Sequence, residues 1–208
     1  MTRQSRKSGA NYALFVLLLA YILSFIDRNV MAVLIGPIRQ QFDISDFQYS
    51  LLHGFAFSMF YIVLGLPIAR LADQSNRKWI ITIGVLLWSV MTCLCGLAKS
   101  FTTLFLARIG VGVGEAALSP PAYSLLADYF SPEKLPRAMA IYTLGITLGG
   151  GLAYIIGGAV YQYFDASGGA TLPVVGHIQA WQMTFIAVGL PGVLVVGMLS
   201  LMQEPARG

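Results

Sequence analysis

Six stretches of the sequence, at about residues 13–36, 48–72, 79–98, 101–125, 135–163 and 180–202, are apolar for long enough to cross a membrane. A hydrocarbon core of about 30 Å needs about 20 helical residues, and each stretch meets that length. Strands of a spanning barrel would be shorter and would alternate apolar and polar at period two. These stretches are continuous and rich in Leu, Ile, Val, Gly and Ala, so helices are the expected spanning solution. Composition agrees, with 57% of residues hydrophobic against 11% charged and a mean hydropathy of +0.72. The sequence is that of an all-α membrane protein with six transmembrane helices.

Lysine and arginine orient the bundle. Arg3, Arg6 and Lys7 precede the first helix, Arg70, Arg77 and Lys78 surround the second loop, Lys134 and Arg137 the fourth, and Arg207 follows the sixth. Only Arg39 and Lys99 fall in the opposite loops. The positive-inside rule therefore predicts two cytoplasmic termini, for a multi-pass protein of the plasma (bacterial inner) membrane. The net charge of +4 reports this topology and not nucleic-acid binding, because the basic residues are spread over separate loops. A cleaved signal peptide is not expected: no small-residue cleavage site follows Lys7, and the apolar run continues past Arg28.

Nothing in the sequence asks for an enzyme, a metal or a cofactor. Cys93 and Cys95 point about 200° apart on one helix and can neither bridge each other nor share an ion. His53 and His177 have no partner at ligand spacing and read as helix-end or loop residues. No Ser/His/Asp set, P-loop or HExxH is present. The connection at 126–137 reads as a longer polar loop and that at about 164–179 as an irregular one on the outer surface. Glycines gather inside helices, at Gly110, Gly112 and Gly114 and at Gly149, Gly157 and Gly158, where they either let helices pack closely or let them slide.

Against this apolar background two helices carry charges. "FIDRN" puts Asp27, Arg28 and Asn29 in the first, and "RIGVGVGEA" puts Arg108 and Glu115 in the fourth. Residues seven apart on a helix differ by about 20° in azimuth, so Arg108, Gly112 and Glu115 share a face, with the two charges about 10 Å apart along the axis. A charge at the bilayer centre costs about 2.5–3.5 kcal/mol, so that face must look inward and its residues are candidates for function. The simpler alternative is a buried ion pair that fixes helix register. Measured from the outer ends of the helices, Asp27 lies about 14 Å deep and Arg108 about 10 Å, within a turn of each other, with Glu115 further in at about 21 Å. An Asp27–arginine pair is therefore expected.

The stretch after the second helix, "ARLADQSNRKWII", resembles the loop motif of the major facilitator superfamily, G-x-x-x-D-R-x-G-R-[RK]. Asp73, Arg77 and Lys78 match it, whereas Ala69, Gln74 and Asn76 stand where Gly, Arg and Gly are usual. Asn76 is an understandable replacement, since Asn tolerates the left-handed conformation. Arg108, Gly112 and Gly114 likewise resemble the superfamily's R-x-x-x-G-x-G pattern, and helices 1 to 5 are similar to the spinster-like branch of lysolipid and sphingolipid transporters. The resemblance implies one half of a twelve-helix major facilitator fold, partnered by a C-terminal six-helix half that follows Gly208 or accompanies this chain. It implies a proton-coupled transporter of an anionic lipid-like substrate, with Arg28 and Arg108 binding the headgroup and Asp27 and Glu115 coupling protons. Ala153 and Tyr154 replace the Gly-Pro step of the antiporter motif, so antiport is not implied.

Within that reading Asp27 sits beside apolar Phe25, Ile26, Val113 and Ala116, where a bare carboxylate is disfavoured unless an arginine holds it. Protonation of Asp27 would free an arginine for a phosphate or carboxylate, preferably in bidentate geometry. Asp73, Arg77 and Asp128 would form a cytoplasmic latch; the plainer alternative is a solvated pair worth about 0–1 kcal/mol. Two other functions fit the same residues: a proton-coupled carrier of small organic anions or drugs, and a self-contained six-helix channel, for which no filter is evident. The topology is directly testable: with Cys93 and Cys95 replaced, a membrane-impermeant thiol reagent should label a cysteine at position 99 from outside and leave one at position 134 untouched. Labelling of position 134 alone would reverse the orientation.

Overall fold

A computed structural model describes the backbone of residues 3–172 and 176–207 and, within these, the side chains of all but residues 3–8, 170 and 172. The side chains of Arg3, Arg6 and Lys7, and residues 173–175 of the fifth connection, lie outside the described residues. Six helical spans cross the molecule, at Gly9–Phe42, Asp46–Gln74, Arg77–Cys95, Phe101–Tyr129, Leu135–Ala166 and Ala180–Leu201. They are called spans 1 to 6 below.

Polar caps and prolines explain where the spans begin and break. Span 1 runs as one helix from Arg3 to Phe42 and stops at Asp43, whose φ of 49° is left-handed. Arg39 thus belongs to its last turn and not to a loop. Ser45 and Gln48 cap span 2 reciprocally. That span contains a π-helical turn at Leu51–Phe55, which places His53 inside it, stacked on Tyr49. Asn76 has φ −70° and ψ 109°, so it does not serve as a left-handed turn residue; its side chain caps span 3 by accepting from the Trp79 N–H. Span 4 breaks just after Glu115: Phe101–Glu115 gives way to a turn at 116–118, and Ser119–Tyr129 restarts through Pro120 and Pro121. Its second half reaches Tyr129 and span 5 starts at Leu135, so the fourth connection is far shorter than 126–137.

Among its described residues the fifth connection is partly regular. Ala170–Leu172 pairs antiparallel with Gly176–Ile178, Thr171 opposite His177, in a two-stranded hairpin. Gly168 and Gly169, just before the first strand, and Gly176, at the start of the second, all have positive φ, which glycine adopts without strain.

Span 1 packs mainly on span 5 and span 3 mainly on span 4, and glycines set both distances. A Cβ on Gly114 would stand 2.6 Å from the Trp88 backbone nitrogen and 2.8 Å from the Gly84 carbonyl. One on Gly149 would meet the Ile22 carbonyl at 2.6 Å. Gly157 faces Val30 and Gly110 faces Met91, whereas a Cβ on Gly158 would meet nothing within 4 Å, so Gly158 takes no part in a packing seam among the described residues. Spans 2 and 5 are the least covered, with 17% and 22% of their most apolar windows buried against 39–56% for the other four. Span 2 leaves Met59, Ile62, Val63 and Leu66 exposed, and span 5 leaves Leu144, Leu148 and Ile155.

These contacts separate two substitutions that look alike in sequence. Gly114→Ala forces two backbones apart and should cost about 1–3 kcal/mol, seen as a lowered thermal midpoint in detergent. Gly158→Ala should stay within about 0.5 kcal/mol of the parent. Equal midpoints for the two would refute the close crossing of spans 3 and 4.

Candidate functional site

The intramembrane charges meet where spans 1, 3 and 4 converge. Asp27, Arg108 and Glu115 are sealed, at 2%, 0% and 1% exposure, and the Arg28 side chain alone reaches an open face, at 28%. Ser24 and Arg28 are four residues apart and so share a stripe of span 1. Glu115 of span 4 enters between them: its Oε2 accepts from Arg28 Nη2 at 2.8 Å and from Ser24 Oγ at 2.9 Å. Asp27 points elsewhere on the helix, and its Oδ2 accepts from Thr92 Oγ1 of span 3 at 3.2 Å. Arg108 Nη1 donates to the main-chain carbonyl of Asp27, not to its carboxylate, at 3.2 Å. Asn29, the third polar residue of the opening motif, folds back on its own helix and donates to the Phe25 carbonyl.

The expected Asp27–arginine pair is thus replaced by Arg28–Glu115, and the reason is a helix end. Span 1 continues to Phe42, so fifteen residues separate Asp27 from its outer end, about 22 Å. Fourteen residues separate Glu115 from Phe101 at the start of span 4, about 21 Å. The acid at the level of Asp27 and Arg28 is therefore Glu115, with Arg108 reaching down from about two turns above. Ser24 and Thr92 were not anticipated: Ser24 is legible in retrospect as the polar residue one turn before Arg28, while Thr92 carries no signal in an apolar helix.

Several buried polar atoms of this cluster have no hydrogen-bond partner among the described residues: Asp27 Oδ1, Glu115 Oε1, Arg28 Nε, and Nε and Nη2 of Arg108. Aromatic rings cover the Arg28 guanidinium, with its Cζ 4.2 Å from the ring centre of Phe57, 4.7 Å from Phe25 and 5.5 Å from Tyr61. Since Nη2 is held by Glu115 and Nε is enclosed, Nη1 is the nitrogen left facing the open side. Arg28 can therefore offer an anion one nitrogen while the pair is intact, and the bidentate fork only after Glu115 lets go. Below the pair Tyr21 stacks on Tyr142 at 4.4 Å, with Tyr123 edge-on to the latter. A separate recess of about 380 Å³, lined by Gln41, Tyr161, Asp165, His177 and Trp181, lies under the hairpin and does not touch the charges.

The loop motif builds a second cluster, at the end of the bundle where spans 2, 4 and 6 finish. Arg77, 2% exposed, donates through Nε to Glu204 at 2.8 Å and through Nη1 to Ser124 and Asp128. Glu204 also accepts from the Arg77 and Lys78 main-chain N–H groups, so it caps span 3 as well as pairing with its first side chain. Lys78 Nζ donates to the Ser200 carbonyl, and Arg207 donates to the carbonyls of Ala72 and Ser75 at the end of span 2. Asp73, expected in this latch, is exposed and takes no part in it; Glu204 occupies the place assigned to it. Loop-level reasoning missed Glu204 because it is 127 residues away from Arg77 in sequence. Glu204→Ala should therefore lower stability by about 1–3 kcal/mol, the cost of unpartnering a buried charged donor, whereas Asp73→Asn should stay within about 0.5 kcal/mol. Thermal unfolding of the two variants decides this, and a larger effect from Asp73 would restore the original latch.

Comparison with known proteins follows the same geometry. The family model described as Major Facilitator Superfamily matches residues 17–208. Protein spinster homolog 1 of Bos taurus is 34% identical over 97% of this chain and 36% of its own length. An MFS-type efflux pump of Mycolicibacterium smegmatis is 29% identical over 91% of this chain and 41% of its own. Among solved structures, a bacterial homolog of the human lysosomal transporter spinster, inward-facing and unoccupied, superimposes with a TM-score of 0.86 at 41% identity, over 96% of this chain and 44% of that one. The chain thus spans less than half the length of the proteins it matches. It belongs to the major facilitator superfamily of membrane transporters, with the fold of one six-helix half and a spinster-like sequence.

Proposed function

We propose that this bundle is the N-terminal half of a secondary transporter that moves an anionic amphiphile, a lysolipid or sphingolipid in class, by alternating access against a C-terminal six-helix half. Protons are the coupling ion, and both termini lie on the cytoplasmic side of a plasma or bacterial inner membrane. The observation that carries the reading is the Arg28–Glu115 pair, in which a partly open arginine is held by a fully sealed acid. A phosphate or carboxylate reaching Nη1 competes with Glu115 for the rest of the guanidinium. Glu115 released into an apolar setting is neutralised by taking up a proton, because an unpaired buried carboxylate is far costlier than its acid. Anion binding and proton uptake are then two sides of one exchange on Arg28.

Asp27 is a second proton site in this scheme: it is buried, and it makes no ion pair among the described residues. Arg108 changes role. At 0% exposure it cannot meet a headgroup in this arrangement; its bond to the Asp27 carbonyl makes it a tie between spans 1 and 4. The likeness to spinster homologues supports the lipid class, and the exposed apolar faces of spans 2 and 5 offer a tail and a second half a place to lie. A carrier of small organic anions or drugs is the second reading, favoured by the similarity to an efflux pump.

The test is uptake into vesicles by the chain together with its second half, over a pH series. Arg28→Ala should lower kcat/KM for an anionic lysolipid by about 10- to 100-fold, the weight of a charge-assisted hydrogen bond. Glu115→Gln and Asp27→Asn should flatten the pH dependence. Parental pH dependence in both acid variants overturns proton coupling. Undiminished uptake by Arg28→Ala overturns the headgroup role, and preference for a tailless organic anion over the lysolipid selects the second reading.

A further inference from the structure

We propose that Phe57, seated on Gly112, is the positioning residue that fixes the Arg28 guanidinium for its anionic ligand, so that selectivity for charge over tail depends on a ring that never touches the substrate. The inference rests on the reading of Arg28 given above.

Three features converge on Phe57. Its ring is the nearest of the three around Arg28, at 4.2 Å from Cζ, within the range where a desolvated cation and an aromatic face attract. It is only 4% exposed, so it is enclosed by protein and unavailable to a bound tail. Its backbone lies directly on span 4: a Cβ on Gly112 would stand 2.8 Å from the Phe57 carbonyl oxygen and 3.2 Å from its Cα. Gly112 is three residues before Glu115, on the face that carries that acid. The same close approach therefore sets the height of the ring against Arg28 and of Arg28 against Glu115.

Span 2 is also shaped to bring this side chain inward. The π turn at Leu51–Phe55 ends two residues before Phe57. One extra residue in that turn rotates Phe57 and the helix after it by about 100° about the axis relative to Asp46–Ser50. The stacked Tyr61, at 5.6 Å from Phe57, continues the same stripe one turn on and leans on the guanidinium from further out. With Nη2 held by Glu115 and Cζ held 4.2 Å from the Phe57 ring centre, two points of the guanidinium are fixed and Nη1 is left little freedom.

The experiment compares lysophosphatidylglycerol, which carries a phosphate, with the monoacylglycerol of the same acyl chain, which keeps the tail and is uncharged, as substrate and as competitor for the chain with its second half in vesicles. Phe57→Leu should raise the half-saturation concentration for the anionic lipid by about 3- to 30-fold while changing the half-inhibitory concentration of the uncharged competitor and the maximal rate less than twofold. Phe57→Tyr, which keeps the ring, should restore the parental value. In an Arg28→Met background Phe57→Leu should have no further effect. Equal losses for both lipids, or no rescue by Tyr, assign the ring a packing role only and overturn the proposal. A full additional loss in the Arg28→Met background shows that Phe57 acts elsewhere and overturns it too. If Arg28→Met alone leaves anionic uptake unchanged, the arginine reading itself has failed. Thermal midpoints accompany each variant; should Phe57→Leu not fold, Phe57→Met carries the same comparison.

Discussion

Charge in a hydrocarbon medium is the constraint around which this bundle is arranged. Asp27, Arg28, Arg108 and Glu115 sit inside the spans, each costing about 2.5–3.5 kcal/mol if left to lipid at mid-depth, and all but Arg28 are almost completely enclosed. Enclosure requires helices on every side, and spans 1, 3 and 4 supply them: Ser24 and Arg28 from the first, Thr92 from the third, Glu115 and Arg108 from the fourth. Large side chains between these helices would hold them too far apart for hydroxyls and guanidinium groups to reach. Glycines at the crossings remove that obstacle, which is why Gly112 and Gly114 lie within a turn of Glu115.

The cluster is nevertheless left incomplete. One oxygen of each acid and two nitrogens of Arg108 have no hydrogen-bond partner among the described residues, although buried polar atoms in proteins are nearly always paired. A fully satisfied network would hold one arrangement. An under-satisfied one leaves donors and acceptors free to change partners, as the proposed exchange of Glu115 for an external anion on Arg28 would require.

Much of this was legible in the sequence, and the exceptions share a cause. Apolar length located six helices, and charge inside them located Asp27, Arg28, Arg108 and Glu115, because both signals are local and strong. Partnership was misassigned because it depends on helix ends, where signals are weak: six residues added to span 1 by a continuing helix move Asp27 about 9 Å in depth. Thr92 and Glu204 were invisible for a different reason. A threonine in an apolar helix reads as filler, and a glutamate after the last span reads as a solvated tail, until folding brings each against a charge 65 or 127 residues away. The Asn76 reading failed on chemistry alone, since the residue that tolerates left-handed turns is also a good helix cap, and here it caps.

Spans 3 and 4 contribute to both clusters, and they cross beside Glu115. Along span 3 the order is Arg77, Gly84, Trp88, Thr92; along span 4, read the same way, it is Asp128, Ala117, Gly114, Arg108. At the crossing Gly84 meets Gly114 and Ala117 with no room for a Cβ on either glycine. The break after Glu115 does not loosen this, because Ala117 and Leu118 donate back to Gly114 and Glu115 and close the turn. Spans 3 and 4 therefore form a closely packed pair that carries residues of both clusters, while spans 2 and 5 present the largest uncovered apolar faces. Phe57 and Glu115 reach the Arg28 guanidinium from spans 2 and 4, which meet where the Phe57 backbone lies on Gly112, so a displacement of span 2 along span 4 would alter the partners of that guanidinium first.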